Sequence, residues 1–334
     1  MSEIAPALSV ESVSVDFGKR KRMRAVSEVS LSVAPGRTLA IVGESGSGKS
    51  TLARAMAGLL PIAGGSVTLL GEDFTKPRRA QRRDIQMVFQ DPYSSLDPSS
   101  SVGSSLEEPL IVHEKMSRVD RSRRIAELLD SVGLPVDAAR RFPHEFSGGQ
   151  RQRIAIARAI ATNPKVLLLD EAVSALDVST QNQILVLLND LQVQHELAYV
   201  FISHDLGVVR WLGDETAVMY MGRVVEQGPT ERVHTQPAHP YTRALTSAMP
   251  IADPVGRESR KRILITGEPP NQFKPFTGCI FASRCPLATT TCTTTAPPVV
   301  PNAGGGSSRC HHIDAFPVQA GMPKHAATVA LTTE

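Results

Sequence analysis

The apolar positions of the chain change period several times, and each change marks an element. Residues 8–17, LSVESVSVDF, alternate apolar with small polar side chains, the pattern of a half-buried strand. The basic run Lys19-Arg20-Lys21-Arg22 follows as a solvated hairpin. Leu31 and Val33 resume the alternation before the turn pair Pro35-Gly36. Thr38–Val42 is a short apolar strand running directly into the glycine-rich stretch Gly43–Ser50, and residues 51–60, TLARAMAGLL, predict a helix. Strand, glycine loop and helix in that order open an α/β domain.

A second strand is predicted over Ile85–Phe89, ending at Gln90, after which DPYSSLDPSSS breaks regular structure. Ile125, Leu128, Leu129 and Val132 stand at helical spacing over 120–132, with Gly133 as the stop. Residues from about 91 to 160 therefore read as a mostly helical insert. Val166–Leu169 is an apolar run too short for a helix and is closed by Asp170; residues 181–194 read as a helix and Leu197–Ile202 as a strand. Polar alternation continues through 215–227. Beyond about residue 230 Pro and Gly become frequent. Residues 286–309 hold few large apolar side chains, so they are expected to be loose or clipped by something other than a core.

Composition narrows the class. Of 334 residues, 41% are hydrophobic and 21% charged, which excludes wholesale disorder. Lys plus Arg number 36 against 33 acidic residues, a net charge of +3 that gives no mandate for nucleic acid. No run of 18 apolar residues is present, and MSEIAPALSV lacks the basic and apolar regions of a secretory leader. The expectation is a soluble cytosolic protein. All four cysteines (Cys279, Cys285, Cys292 and Cys310) lie in the tail, so thiol chemistry belongs there and not to the main core.

The chemistry concentrates in three motifs. GESGSGKS over 43–50 fits the phosphate-loop pattern in full, and Gly43, Ser45, Gly46, Gly48, Lys49, Ser50 and Thr51 make its candidate cradle. Inward-turned backbone N–H groups and a helix N-terminus suit a polyphosphate; Lys49 would meet the β- and γ-phosphates and Ser50 would ligate Mg²⁺. VLLLDE over 166–171 is the matching half: a buried strand delivers Asp170 to Mg²⁺, and Glu171 is the natural general base for an attacking water. Either pattern alone could be a glycine turn or a strand ending in an acid. In FSGGQ over 146–150, Ser147, Gly148, Gly149 and Gln150 start a helix as a second anion-binding nest. Two phosphate-binding elements but one catalytic set are reconciled by a dimer in which each chain closes the other's site.

In this order the phosphate loop, Gln90, FSGGQ, LLLDE, Ser174-Ala-Leu-Asp177 and His204 resemble the ATPase subunits of ABC transporters. MVFQDPYSSLDP (87–98), DEAVSALDVSTQNQIL (170–185), HPYTRALTSAMP (239–250) and ITGEPP (265–270) are similar to the bacterial peptide and nickel importers, a resemblance covering about residues 5–312. It implies an α/β fold: a P-loop ATPase domain over 1–230 with a RecA-like core, an antiparallel β subdomain and the helical insert, then a cysteine-containing extension over 231–334. It implies that Gln90 senses Mg²⁺ or water and faces a membrane partner, that Asp177 lies at the dimer seam, and that His204 reaches the γ-phosphate. It also implies that Phe17 stacks on adenine; the alternative is a core position shared with Val13 and Val15. Phe146 departs from the family's usual leucine with no expected consequence.

The cysteine spacing, C-x5-C-x6-C-x17-C, is looser than most structural zinc sites. Four thiolates also suit a [4Fe–4S] cluster, which the resemblance favours over zinc or unligated thiols. The resemblance further implies import of small peptides, with nickel or another solute as the alternative. Implied partners are a second identical or homologous ATPase subunit, two transmembrane permeases and an extracytoplasmic binding protein, with the chain peripheral on the cytoplasmic face of the inner membrane. A nucleic-acid ATPase and a nucleotide-binding module without turnover are the rivals; the modest charge argues against the first, and Glu171 with His204 against the second.

Overall fold

The protein is described from a computed structural model covering residues 5–18, 22–91, 95–249, 263–268, 270 and 276–313. The expected basic hairpin at Lys19–Lys21 lies outside these residues. The opening alternation forms β1 (Leu8–Phe17) and β2 (Met23–Val33), an antiparallel pair that buries Val10, Val13 and Val15 against Val29, Leu31 and Val33. β3 (Thr38–Val42) leads into helix α1 (Lys49–Met56). That helix stops short of residue 60 because Gly58 turns left-handed at φ 66° and releases the chain. β4 (Gly64–Leu69) and β5 (Glu72–Asp73) complete a four-stranded sheet ordered β2-β1-β4-β5.

The remaining strands build an eight-stranded sheet. They are β6 (Ile85–Val88), β7 (Val166–Asp170), β8 (Ala198–Ser203), β9 (Glu215–Tyr220), β10 (Arg223–Pro229), β11 (Val299–Pro301) and β12 (Ser307–Arg309), ordered β11-β12-β10-β9-β3-β8-β7-β6 with β3. β3, β6, β7, β8 and β9 run parallel; β10, β11 and β12 add antiparallel pairs. Every residue of β3, β7 and β8 is buried, as a parallel sheet covered on both faces requires. Successive residues therefore feed two different cores. Leu39, Ile41, Leu168, Val200 and Ile202 pack with α1 and the β1–β2–β4 sheet. Ala40, Val42, Leu167, Leu169, Tyr199 and Phe201 pack with the helices on the other face.

Those helices include α2 (Val102–His113), α3 (Arg118–Ser131), α4 (Gly148–Ile160) and α5 (Val178–His195). The expected 120–132 helix starts two residues earlier because the Ser117 hydroxyl caps it, accepting from the Asp120 N–H at 3.2 Å. α6 (Leu206–Leu212), α7 (Thr230–Thr235) and α8 (Pro240–Ser247) follow β8 and β10. A buried ion pair anchors this passage: Arg232 Nη1 donates to Glu226 Oε1 at 2.8 Å, and Glu226 also accepts the N–H groups of Ala238 and His239, each at 2.8 Å.

Residues 286–309 are neither loose nor independent of the main sheet. After α9 (Thr290–Thr294), the β11–β12 hairpin pairs with β10 through Glu226 opposite Ser308 and Gln227 opposite Ser307. Sequence reasoning missed this because main-chain pairing needs no large apolar side chain. Gly306 has a reason to be glycine: at φ 79°, any Cβ there would collide with the Gln227 carbonyl.

Candidate functional site

β3 ends at Val42, and the chain turns through Gly43–Gly48 before α1 begins. Gly48, at φ 100°, would place a Cβ 2.5 Å from the Ala25 carbonyl oxygen, so only glycine lets the loop lie this close to β2. Lys49 is buried; its Nζ donates to the carbonyls of Gly43 at 2.8 Å and Glu44 at 3.0 Å. Burial holds its pKa below the usual lysine range, while the carboxylates of Glu171, Asp170 and Glu44 pull the other way. Ser45 and Gly46 sit exposed on the loop, and Ser50 and Thr51 open α1.

The Ser50 hydroxyl donates to Asp170 Oδ1 at 2.8 Å, joining the loop to the end of β7. Burial raises the Asp170 carboxyl, opposed by that hydrogen bond and by the Arg54 and Lys49 charges. A hydroxyl and a carboxylate held together are hard oxygen donors, the donor set Mg²⁺ takes. The next residue leaves the strand: Glu171 is left-handed at φ 49°, an uncommon state for a residue with a side chain and a cost of about 1 kcal/mol, while its N–H still donates to the Ile202 carbonyl at 3.0 Å. Gln90 Nε2 donates to Glu171 Oε2 at 2.9 Å, and His204 Nδ1 stands 3.5 Å from the same oxygen. Three residues from separate segments thus meet at one carboxylate.

The signature and seam residues lie apart from this group. Ser147 caps α4: its hydroxyl accepts from Gln150 N–H at 3.3 Å, and Gln150 Oε1 accepts from Ser147 N–H at 3.0 Å. The hydrogen bonds of Ser147 and Gln150 stay within this helix start, with Gly148 and Gly149 on its first turn. Asp177 caps α5 and is exposed; its hydrogen bonds from the Thr180 hydroxyl (2.7 Å) and N–H (3.0 Å) hold its carboxyl below the ordinary range. Phe17 ends β1 and is 38% exposed, whereas Val13 and Val15 are buried. Register shifts between Val13, Val15 and Asp16 carry Phe17 out of the core face, so the core alternative for it is not realised.

Among the described residues, no three His, Cys, Asp or Glu side chains gather as a metal site. The expected [4Fe–4S] or zinc site on Cys279, Cys285, Cys292 and Cys310 is thus not shown, although the Cys279 N–H donates to the Cys292 carbonyl at 2.7 Å and the other three thiols lie near enough to Cys310 to help raise its pKa. Cys292 and Cys310 are buried, and Cys279 and Cys285 half-buried. Burial raises Cys279, Cys285 and Cys310, the last to about 11, which keeps them protonated near neutral pH. Cys285 and Cys310 sulfurs accept from the N–H groups of Leu287 (3.4 Å) and His312 (3.3 Å), and Cys292 Sγ lies 3.4 Å from His312 Nε2.

Sequence reasoning missed the residues that tie the tail to the phosphate loop. The Tyr241 hydroxyl accepts from the Glu44 N–H at 2.8 Å, and Arg284 pairs with the Glu44 carboxylate at 2.9 Å. HPYTRALTSAMP, read for resemblance alone, contained the signal in Tyr241.

The parallel sheet, the loop wrapped on Lys49 and the Ser50–Asp170–Glu171 group define a P-loop ATPase cassette. The ABC transporter family matches residues 26–174, and the oligopeptide/dipeptide transporter C-terminal region matches 225–292. The di/tripeptide transport ATP-binding protein DppF of Pseudomonas aeruginosa is 46% identical over 304 residues, 90% of this chain and 93% of that protein. The dipeptide transport ATP-binding protein DppF of Haemophilus influenzae is 45% identical over 302 residues, 89% and 92% of the two chains. Among solved structures, the post-hydrolysis dimer of the ATP-binding cassette MJ0796 bound to ADP and Pi aligns with a TM-score of 0.61 at 31% identity, covering 67% of this chain and 98% of that one. CbiO1 from Clostridium perfringens, part of the transporter complex cbiONQ, aligns with a TM-score of 0.62 at 29% identity, covering 69% and 91%. The chain belongs to the peptide-transport ATP-binding proteins of the ABC transporter family.

Proposed function

We propose that this chain is the ATP-binding and ATP-hydrolysing subunit that powers import of di- and oligopeptides by an ABC transporter. The observation that carries the reading is the Gln90–Glu171–His204 convergence beside the Lys49 loop, in a chain that continues into an oligopeptide/dipeptide transporter C-terminal region. Lys49 and the loop N–H groups bind the phosphates of ATP, and Phe17 stacks on its base. Ser50 and Asp170 would hold Mg²⁺, with Gln90 facing it; that ion supplies charge neutralisation on the phosphates. Glu171 takes the proton of the attacking water, and His204 orients toward the γ-phosphate.

Ser147–Gln150 and Asp177 serve a second, identical or homologous cassette, since their local hydrogen bonding leaves them free of their own chain's loop. A cleft of about 240 Å³ between β6, α2 and α4, lined by Met87, Phe89, Glu108, Val112, His113 and Arg158, suits a short segment of a transmembrane permease and reaches Phe89, the neighbour of Gln90 in sequence. No helix among the described residues is long and apolar enough to cross a membrane. The family resemblance supports a place on the cytoplasmic face of the inner membrane, held by two permeases that an extracytoplasmic binding protein supplies with substrate. The cassette occupies 1–230 with the insert at 91–160, and the extension 231–334. A [4Fe–4S] cluster on the four cysteines, or zinc in its place, rests on the resemblance alone; iron and zinc content after anaerobic purification tests it.

Peptide uptake by cells lacking the chain tests the whole reading. Restoration by the wild type but not by Lys49→Ala is the expected result; uptake that needs neither overturns it.

A further inference from the structure

We infer that Arg284, in the C-terminal extension, is a positioning residue for the phosphate loop, acting through Glu44. Glu44 is the second residue of that loop and is held at every polar group it owns. Its N–H donates to the Tyr241 hydroxyl at 2.8 Å, and its carbonyl accepts from Lys49 Nζ at 3.0 Å. Its carboxylate accepts from both terminal nitrogens of Arg284, at 2.9 and 3.3 Å. Two of these three grips come from α8 and the cysteine segment, far along the chain.

Arg284 is itself fixed. It also donates to the Tyr220 hydroxyl at 3.3 Å, and its side chain is only 10% exposed. Tyr220, Tyr241 and Phe281 pack on one another with ring centroids 4.7, 5.3 and 5.5 Å apart, and the Arg284 N–H donates to the Phe281 carbonyl at 3.0 Å. A guanidinium seated on an aromatic cluster and engaging a carboxylate through two nitrogens has little freedom left to lose.

The electrostatic consequence is as direct as the geometric one. A carboxylate in a loop built for polyphosphate repels its ligand unless a cation neutralises it. Arg284 supplies that cation and fixes the loop backbone at the same time. The extension thereby sets the readiness of the loop for nucleotide.

This inference rests on ATP being the ligand. ATP titration of the full-length chain, with hydrogen exchange over residues 43–50 of the nucleotide-free protein, tests it. Arg284→Gln is expected to weaken ATP binding about tenfold, the loss of one charge-assisted contact. Adding Glu44→Gln is expected to recover part of that loss by removing the uncompensated carboxylate, an outcome that mere loss of packing does not give. Glu44→Gln alone leaves the extension intact and is expected to speed exchange over 43–50. Wild-type affinity in Arg284→Gln, no recovery in the double variant, or unchanged exchange in Glu44→Gln overturns the inference. Failure of the wild type to bind ATP overturns instead the function on which it rests.

Discussion

Gln90 and Glu171 are joined by a 2.9 Å hydrogen bond although they stand at the ends of different strands, β6 and β7. Glu171 Oε2 thus faces Gln90, just ahead of the helical insert, and, at 3.5 Å, His204 on the loop after β8. A carboxylate so placed, with an amide donor and an imidazole nitrogen at one oxygen, suits the proposed role of taking a proton from water.

Glu171→Gln is expected to lower ATP turnover about 10²–10⁴-fold, the usual contribution of a general base. Binding should survive, because Lys49 and Ser50 are untouched. Phosphate release and equilibrium ATP binding measured on the same preparation check both halves; near-normal turnover would remove Glu171 from the role of base.

Lys49→Ala and Ser147→Arg are expected to fail at different steps. The first removes the buried ammonium of the phosphate loop and so weakens ATP binding to a single chain. The second alters an exposed helix start that makes no hydrogen bond to its own loop, so it should spare that binding and abolish hydrolysis. ATP titration beside a turnover assay separates them, and loss of binding in both would sink the assignment of Ser147 to a partner cassette.

Phe17→Ala is expected to weaken ATP binding by about 1–3 kcal/mol, the stacking contribution of an aromatic ring on a base. Phe17→Tyr should retain it. Since Phe17 lies outside the core, the unfolding midpoint should hardly move, and a large fall in that midpoint would return Phe17 to a packing role.

Acid should loosen the start of the extension. Burial pushes His234 down to about 4 and His239 down to about 3, and His239 Nδ1 must stay unprotonated to accept the Tyr241 N–H at 3.1 Å. In the unfolded chain both titrate near 6.5, so the unfolded state binds more protons over the interval between. Their contribution is fully present above about pH 6.5 and is lost as pH falls toward 4 and 3, by about 2 kcal/mol per histidine at pH 5. Thermal unfolding between pH 7.5 and 5 checks this. His239→Asn, which keeps an acceptor without the titration, should flatten the profile.

The cassette was legible because its signals are local. Thr38–Val42 and Val166–Asp170 are apolar runs beside glycine and acid punctuation, and their burial on both faces follows from composition. Phe17 was ambiguous in sequence because strand parity places it with Val13 and Val15, and only the register shifts after Val13 turn it outward. The tail was the least legible. β11 and β12 are three residues each and hold through backbone pairing, which leaves no trace in hydropathy. The Glu44–Arg284 pair spans 240 positions, and no periodicity joins residues so distant.

The hairpin at 299–309 has a consequence for solubility. Without it the sheet would have its six other strands and β10 would present unpaired N–H and C=O groups along the border, a template on which another chain can polymerise. With it, the border passes to β11, three residues long and ending in Pro301, which lacks an amide hydrogen to offer. The glycine triplet 304–306, poor as core, lets a short ribbon lie flat enough to serve as a selvedge.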